Sequence, residues 1–482
     1  MRRAGRAAAD LALELIGPRP PQPVLVLAGP GNNGGDALEM AADLAEAGVD
    51  VVVLHLAGRG QPSPEAAQAL ARARSSGANF ADVAPDVRAW AMVVDGLFGI
   101  GLERPLEGRY REFAAAVGNL RCPVLALDVP SGLDADSGAV IGSDGIAVRA
   151  THTITFIGDK PGLHTGEGRD HAGIVRVADL GIEVAAHERA RACLASPALF
   201  APLLVPRRHN SHKGQFGDVA VVGGAHGMLG AALLAARAAL HAGAGRVFAV
   251  TVDANPQVDL MQPELMLRAS NDFELEQRVL VLGPGMGDSS EAMRVLGQGI
   301  DGTGPVVIDA DGLNLVAAST ALQERVAKRR GATIVTPHPL EAARLLGTSG
   351  AEVQTDRLGS ARELARRLQA IVVLKGSGTV VAQPDGELAI NPTGNAGLAS
   401  GGSGDVLAGL CGALLAQGWP GWEAAVGAVW MHGAAADRLV EEGIGPIGMT
   451  AGELPKAVRS VFNTLVRERT EGGRRVDSRV HA

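Results

Sequence analysis

Short apolar runs alternate along the chain with longer segments whose apolar positions recur every three or four residues. The short runs, bounded by Gly, Pro or Asp, read as strands buried on both faces, and the longer segments read as helices. Val24–Leu27, Val51–Leu56, Ala91–Asp95 and Val124–Asp128 fit the first pattern, and Asp36–Ala47 fits the second. The alternation restarts at Asp218–Val222 and runs through Val247–Val250, Val279–Leu282, Val306–Asp309, Thr333–Val335 and Ile371–Leu374. Leu229–Ala242 predicts a helix of small residues, and Val406–Ala416 predicts another helix. Strands that alternate with helices predict parallel, doubly wound sheets. Two such series predict an α/β protein with domains at 1–185 and 207–466. The stretch 186–206, with Pro197, Pro202 and Pro206, reads as a linker, and the Arg/Glu/Gly-rich 467–482 as a frayed tail.

Composition narrows the class. A chain of 482 residues is too long for one core. Its 46% apolar and 20% charged residues are those of a globular protein. A net charge of −8 argues against nonspecific nucleic-acid binding. Cys122, Cys193 and Cys411 are far apart and form no CxxC, so neither a disulfide framework nor a zinc site is indicated. The N-terminal apolar run is broken by Asp10 and Glu14, which fits an amphipathic helix better than a signal peptide. The run Gly230–Ala244 contains Arg237 and His241 and is too short to span a bilayer. The expectation is a soluble cytoplasmic protein with no membrane or nucleic-acid partner.

In doubly wound sheets, ligands bind beyond the carboxyl ends of the strands. Three loops of the N-terminal half occupy that position. Gly29-Pro-Gly31-Asn32-Asn33-Gly34-Gly35-Asp36 follows a strand and opens a helix, where glycine amides can approach a phosphate. Its GxGxxG is weak evidence alone, since a tight structural turn fits as well. A Rossmann NAD site wants an acidic residue after the second strand. Only Ala57-Gly58-Arg59 stands there, which disfavours an NAD-dependent dehydrogenase. The other two loops start at Asp95 and Asp128, each at a strand end; the second runs on to Ser131.

GPGNNGGD, DGLFGIGLERP and LALDVPSGLDADSGAV together resemble the signature loops of NAD(P)H-hydrate epimerase domains, from about Ala4 to Leu180. The resemblance implies a Rossmann-like fold. It implies that Asn33, Asp95 and Ser131 hold a potassium ion. It implies that Asn32, Asn33, Gly34, Gly35 and Asp36 bind the hydrated dinucleotide, as do Gly99, Ile100, Gly101, Leu102, Glu103, Arg104 and Pro105. Asp128 would bind it too and act as the acid/base residue. Lys160 is a candidate polar partner or a solvated lysine. Two departures predict a weakened or lost epimerase. The family carries a further segment before the AGRA-like helix, so either activity suffers or the true start lies upstream. Its NNGGDG also reads NNGGDA here, and Ala37 would be strained if that position needs positive φ.

In the C-terminal half, Ser400-Gly401-Gly402-Ser403-Gly404-Asp405 leads into a helical pattern. Glycine amides at a helix start form an anion cradle, and a carboxylate inside it suits proton abstraction from a hydroxyl. A simple helix cap would need fewer glycines. This GxGD arrangement resembles the ribokinase-like fold. SHKG at Ser211, GPGMG at Gly283, DADGLN at Asp309, TPHPLE at Thr336 and LKGSGT at Leu374 occur with it in order. The set resembles the ADP- or ATP-dependent NAD(P)H-hydrate dehydratase family, from about Pro206 to Val461. The resemblance implies that Lys375, Gly376, Ser377, Gly378, Thr379 and Gly404 bind the nucleotide, with magnesium. Ala231, Gly287, His338 and Asp405 would contact the hydrated dinucleotide, Asp405 as catalytic base. Glu341 reads as a helix cap. Asp309 and Asp311 read equally as core-edge or magnesium-proximal residues.

The implied reaction is repair of hydrated NADH and NADPH, the compounds NADHX and NADPHX. Dehydration of the S form would use ADP in preference to ATP, and the N-terminal half would interconvert the R and S forms. A small-molecule kinase and a non-catalytic dinucleotide-binding protein remain as alternatives. A homo-oligomer is expected.

Overall fold

Val24, Val26 and Leu27 are fully buried, as a strand covered by helices on both faces must be. The same holds for Val219, Val221 and Val222 in the second half of the chain. The protein, seen in a computed structural model, is described except at residues 19, 59, 84–89, 119, 183–189, 254–256, 277 and 481–482, and except for the side chains of 472–480. It divides into two units, Met1–Ala190 and Arg191–Ala482.

The first unit holds a seven-stranded sheet of β1 (Val24–Ala28), β2 (Val51–His55), β3 (Asn79–Phe80), β4 (Met92–Gly96), β5 (Val124–Leu127), β6 (His152–Phe156) and β7 (Ile174–Ala178). All neighbours are parallel, in the order β3-β2-β1-β4-β5-β6-β7. Winding reverses between β1 and β4, the place where doubly wound sheets open a crevice. Asp95 lies in β4 there, and Asp128 follows β5. The helix Asn32–Glu46 buries Leu38, Met40, Ala41 and Leu44. Its start lies four residues earlier than the polar–apolar pattern predicts, because Asn32–Gly35 already wind as helix. β6 and β7 escape the pattern because Thr153 and Thr155 are buried hydroxyls, while much of β7 is exposed.

The second unit holds β8 (Ala192–Leu194), β9 (Asp218–Gly223), β10 (Arg246–Thr251), β11 (Met266–Ala269), β12 (Val279–Leu282), β13 (Val306–Ile308), β14 (Thr333–Val335), β15 (Ile371–Leu374), β16 (Val380–Ala382) and β17 (Leu388–Ile390). Their order is β11-β10-β9-β12-β13-β14-β15-β16-β17-β8. The strands from β11 to β15 run parallel, β16 and β17 pair antiparallel, and β8 lies parallel to β17. Winding reverses here between β9 and β12.

Two expectations change at the ends of this unit. The segment 186–206 was expected to be a linker. Residues 186–189 lie outside the described set, but Ala192–Leu194 is a strand of the second sheet. Three residues with little alternation give no strand signal; their partner β17 supplies the order. The tail expected at 467–482 continues the helix Leu454–Val480, and 481–482 lie outside the described set. The small-residue helix Leu229–His241 packs within the unit against the helix Ser403–Ala416. A Cβ on Gly409 would stand 2.0 Å from Ala235 O, so the two backbones nearly touch there. No helix among the described residues is long and apolar enough to cross a membrane.

Candidate active sites

At the first unit's switch point, the turn after β1 is too tight for side chains. A Cβ on Gly34 would stand 1.9 Å from Gly29 O, and one on Gly29 would stand 1.8 Å from Leu97 O. This closure sets Asn33 at the start of its helix, donating from Nδ2 to Leu127 O at 3.1 Å. Its Oδ1 is buried and has no partner. Asp95 is fully buried and tied to Ser131, accepting from its N at 2.8 Å and its Oγ at 2.6 Å. Burial pushes the Asp95 carboxyl up to about 6, against these hydrogen bonds.

Asp128 leaves β5 with φ of 66°, a left-handed conformation in a residue that tolerates it. Its Oδ2 accepts from Ile100 N at 3.2 Å, and a Cβ on Gly99 would stand 2.8 Å from that oxygen. Lys160 is not a solvated lysine. Its Nζ lies 2.9 Å from Asp128 Oδ1 and donates to Phe156 O at 2.8 Å. Burial pushes Asp36, on the helix of Asn33, up to about 7. Of the second loop, Gly99 and Ile100 meet Asp128, whereas Gly101, Glu103, Arg104 and Pro105 are exposed and Leu102 half-buried.

Ala37 does not occupy a positive-φ position. It lies inside the helix Asn32–Glu46 and is fully buried. The strain expected at Ala37 is therefore absent.

In the second unit a cavity of about 370 Å³ is lined by Asp309, His338, Glu341, Lys375, Gly404 and Asp405, with Gly376, Gly402 and Ser403 at its wall. Gly402 enters the helix Ser403–Ala416 at φ of 92° and offers no side-chain cap. Asp405 sits in the first turn and faces the cavity. Its carboxyl is pushed up to about 7 by burial and by the Asp309 charge, with Lys375 opposing. A Cβ on Gly404 would stand 3.3 Å from Lys375 Nζ, so a larger residue there would crowd the ammonium.

Lys375 Nζ reaches Asp309 Oδ1 at 2.7 Å and Glu341 Oε2 at 3.9 Å. Burial pulls the ammonium down, but Asp309 and Glu341 outweigh it, so Lys375 stays charged above its ordinary range. Thr336 Oγ1 donates to the same Asp309 oxygen at 2.8 Å. His338 caps the helix Pro339–Leu346, its Nδ1 accepting from Leu340 N at 3.1 Å. Burial and the Lys375 charge lower its pKa.

Glu341 does cap, accepting from His338 N at 2.8 Å, but it is also a cavity wall, and burial pushes it up to about 7. The capping box in TPHPLE concealed that second position. Ser377, Gly378 and Thr379 continue the Lys375 loop towards β16. Ala231, in the first turn of the helix Leu229–His241, and Gly287, in the loop after β12, do not line this cavity; Gly287 N donates to Asp311 Oδ2 at 2.9 Å. Among the described residues, no group of three His, Cys, Asp or Glu is arranged as a metal site.

Comparison with known proteins decides the family. Residues 219–459 match the model described as NAD(P)H-hydrate dehydratase, and residues 1–162 match the YjeF-related protein N-terminus. A bifunctional NAD(P)H-hydrate repair enzyme Nnr from Escherichia coli (strain K12) is 38% identical over 92% of this chain and 86% of its own length. The chain belongs to the bifunctional NAD(P)H-hydrate repair enzymes. The relative of the same name from Coxiella burnetii is 38% identical over 92% of this chain and 90% of its own. A ribokinase-like superfamily protein from Enterococcus faecalis V583 matches 58% of this chain and 99% of its own, with TM-score 0.50 and 25% identity. The repair enzyme thus joins a YjeF-related, epimerase-type domain to a ribokinase-like dehydratase domain.

Proposed function

We propose that the second unit dehydrates the S form of NADHX and NADPHX at the expense of ADP, or of ATP, and that the first unit interconverts the R and S forms. The observation that carries the dehydratase reading is Asp405: an uncapped carboxylate at a helix start, in one cavity with Lys375.

Hydroxide leaves a reduced nicotinamide ring poorly at neutral pH, and phosphate leaves well. Asp405 takes the proton of the ring hydroxyl as that oxygen attacks the terminal phosphoryl group. Lys375, and the amides at Gly376, Gly402 and Gly404, face the charge carried by the moving group. AMP leaves when ADP is the donor, or ADP when ATP is, and loss of phosphate from one ring carbon with a proton from its neighbour then restores the dihydronicotinamide. His338, Ala231 and Gly287 would orient the dinucleotide. No group of three carboxylates among the described residues is arranged to hold magnesium by itself, so the ion would arrive with the nucleotide. Bound with the nucleotide, magnesium neutralises phosphate charge.

In the first unit Asp128, held by Lys160 and Ile100 N, is the acid/base group. The orphaned Oδ1 of buried Asn33 fits an oxygen-seeking monovalent cation such as potassium, with Asp95 and Ser131 beside the same loop. A homo-oligomer in the cytoplasm completes the proposal.

The test mixes the chain with hydrated NADH, magnesium and ADP or ATP and follows the return of dihydronicotinamide absorbance. Recovery of absorbance with phosphate release supports the reading. A stable phosphorylated product would favour a kinase instead, and binding without turnover a sensor.

A further inference from the structure

Arg357 is 1% exposed, although it carries a guanidinium. It is also the first residue of the helix Arg357–Leu368, where the positive helix end disfavours a cation. A leucine or methionine would fill this space without either cost. The guanidinium does something an apolar side chain cannot. One nitrogen, Nη2, donates to Leu374 O and to Lys375 O, both at 3.2 Å. The other, Nη1, donates to Gln354 Oε1 at 2.6 Å. Burial lowers the group to about 10, which leaves it charged at neutral pH.

The two carbonyls belong to the last strand residue before the Lys375 loop and to its first residue. In a trans peptide, C=O and N–H point in opposite directions. Turning Lys375 O towards Arg357 therefore turns Gly376 N–H away from it. Lys375 N–H is held by Pro337 O at 2.9 Å. The loop is thus pinned from beneath at two successive peptides. Gly376 is fitted to this arrangement: its φ is 141°, and a Cβ there would stand 2.9 Å from both Nη1 and Nη2.

We infer that Arg357 is a positioning residue for the nucleotide. It holds the Lys375–Thr379 loop so that Lys375 and the amide of Gly376 face the phosphates, without touching the nucleotide itself. This rests on the proposed assignment of that loop to nucleotide binding.

Hydrogen exchange on the full-length wild-type chain, with and without ADP and magnesium, tests the loop assignment first. Protection of the amides of residues 376–379 is expected; its absence overturns the loop assignment and this inference with it. Arg357→Met and Arg357→Lys then test the arginine alone. The Kd and KM for ADP should rise about tenfold or more in Arg357→Met, while KM for the hydrate changes less than about twofold. Arg357→Lys keeps the charge but not the fork, and should fall between wild type and Met. Should Arg357→Met fail to fold, Arg357→Lys carries the test, with a rise of about threefold expected. Wild-type ADP affinity in Arg357→Lys or in a folded Arg357→Met, whatever the change in Tm, overturns the role of Arg357 and leaves the loop assignment standing.

Discussion

Lys375 Nζ lies 2.7 Å from Asp309 Oδ1, and Asp309 is 1% exposed. Breaking such a pair is worse than never having it, because one charge is left in a medium that cannot solvate it. Lys375→Met should cost about 3–5 kcal/mol of stability. The double variant Lys375→Met/Asp309→Leu should recover much of that loss. Urea denaturation of both variants and of Asp309→Leu alone checks this; single losses that simply add in the double variant would show that the pair is not coupled.

Asp405→Asn should cut dehydration by about a thousandfold or more while ADP still binds. It keeps the shape of the side chain and removes the base. Calorimetric titration with ADP beside the absorbance assay separates the two effects.

The same residue sets a pH dependence. Asp405 ionises at about 7 in the folded chain, against an ordinary 3.8. As a base it works only when ionised, so dehydration kcat/KM should fall as the pH drops below about 7. For stability the sign is reversed. The folded state favours the protonated form, so that contribution is complete below about pH 4 and is lost as the pH rises through about 7. Asp405→Asn should therefore raise Tm at pH 8 by an amount worth on the order of a few kcal/mol, and change little at pH 4. A variant that gains nothing at pH 8 would contradict the placement of the carboxylate.

Much of this was legible beforehand. The central strands were found within a residue or two, because buried parallel strands announce themselves as Val/Leu runs. Asp405, Lys375 and His338, singled out by the glycine and proline around them, line one cavity. What stayed hidden depended on contacts distant in sequence. Asp128 and Lys160 are joined only by the packing of the loops after β5 and β6. β8 has three residues and no pattern until β17 lies beside it. Arg357 reads as one more surface arginine of a helix.

Ala37 is a case where the sequence misled. A glycine restored there should not improve epimerisation. Ala37→Gly should instead lower stability by about 1 kcal/mol, since it sits in a helix interior. The rate of interconversion of R and S hydrates, measured beside Tm, checks both statements.

Lys160→Met should impair epimerisation while leaving dehydration untouched, because Lys160 lies 2.9 Å from Asp128 Oδ1 and belongs to the other unit. A loss of about tenfold or more in epimerase kcat/KM is expected. An unchanged rate would mean that the ammonium does not orient the carboxylate.

The pairing of β8 with β17 has a practical meaning for anyone who wants the dehydratase half by itself. A gene fragment opened at Pro206, where the recognisable motifs begin, would delete Ala192–Leu194 and bare the backbone amides and carbonyls of Leu388–Ile390. An uncovered sheet margin recruits other chains. The fragment that stays monodisperse is the one whose first codon precedes Arg191.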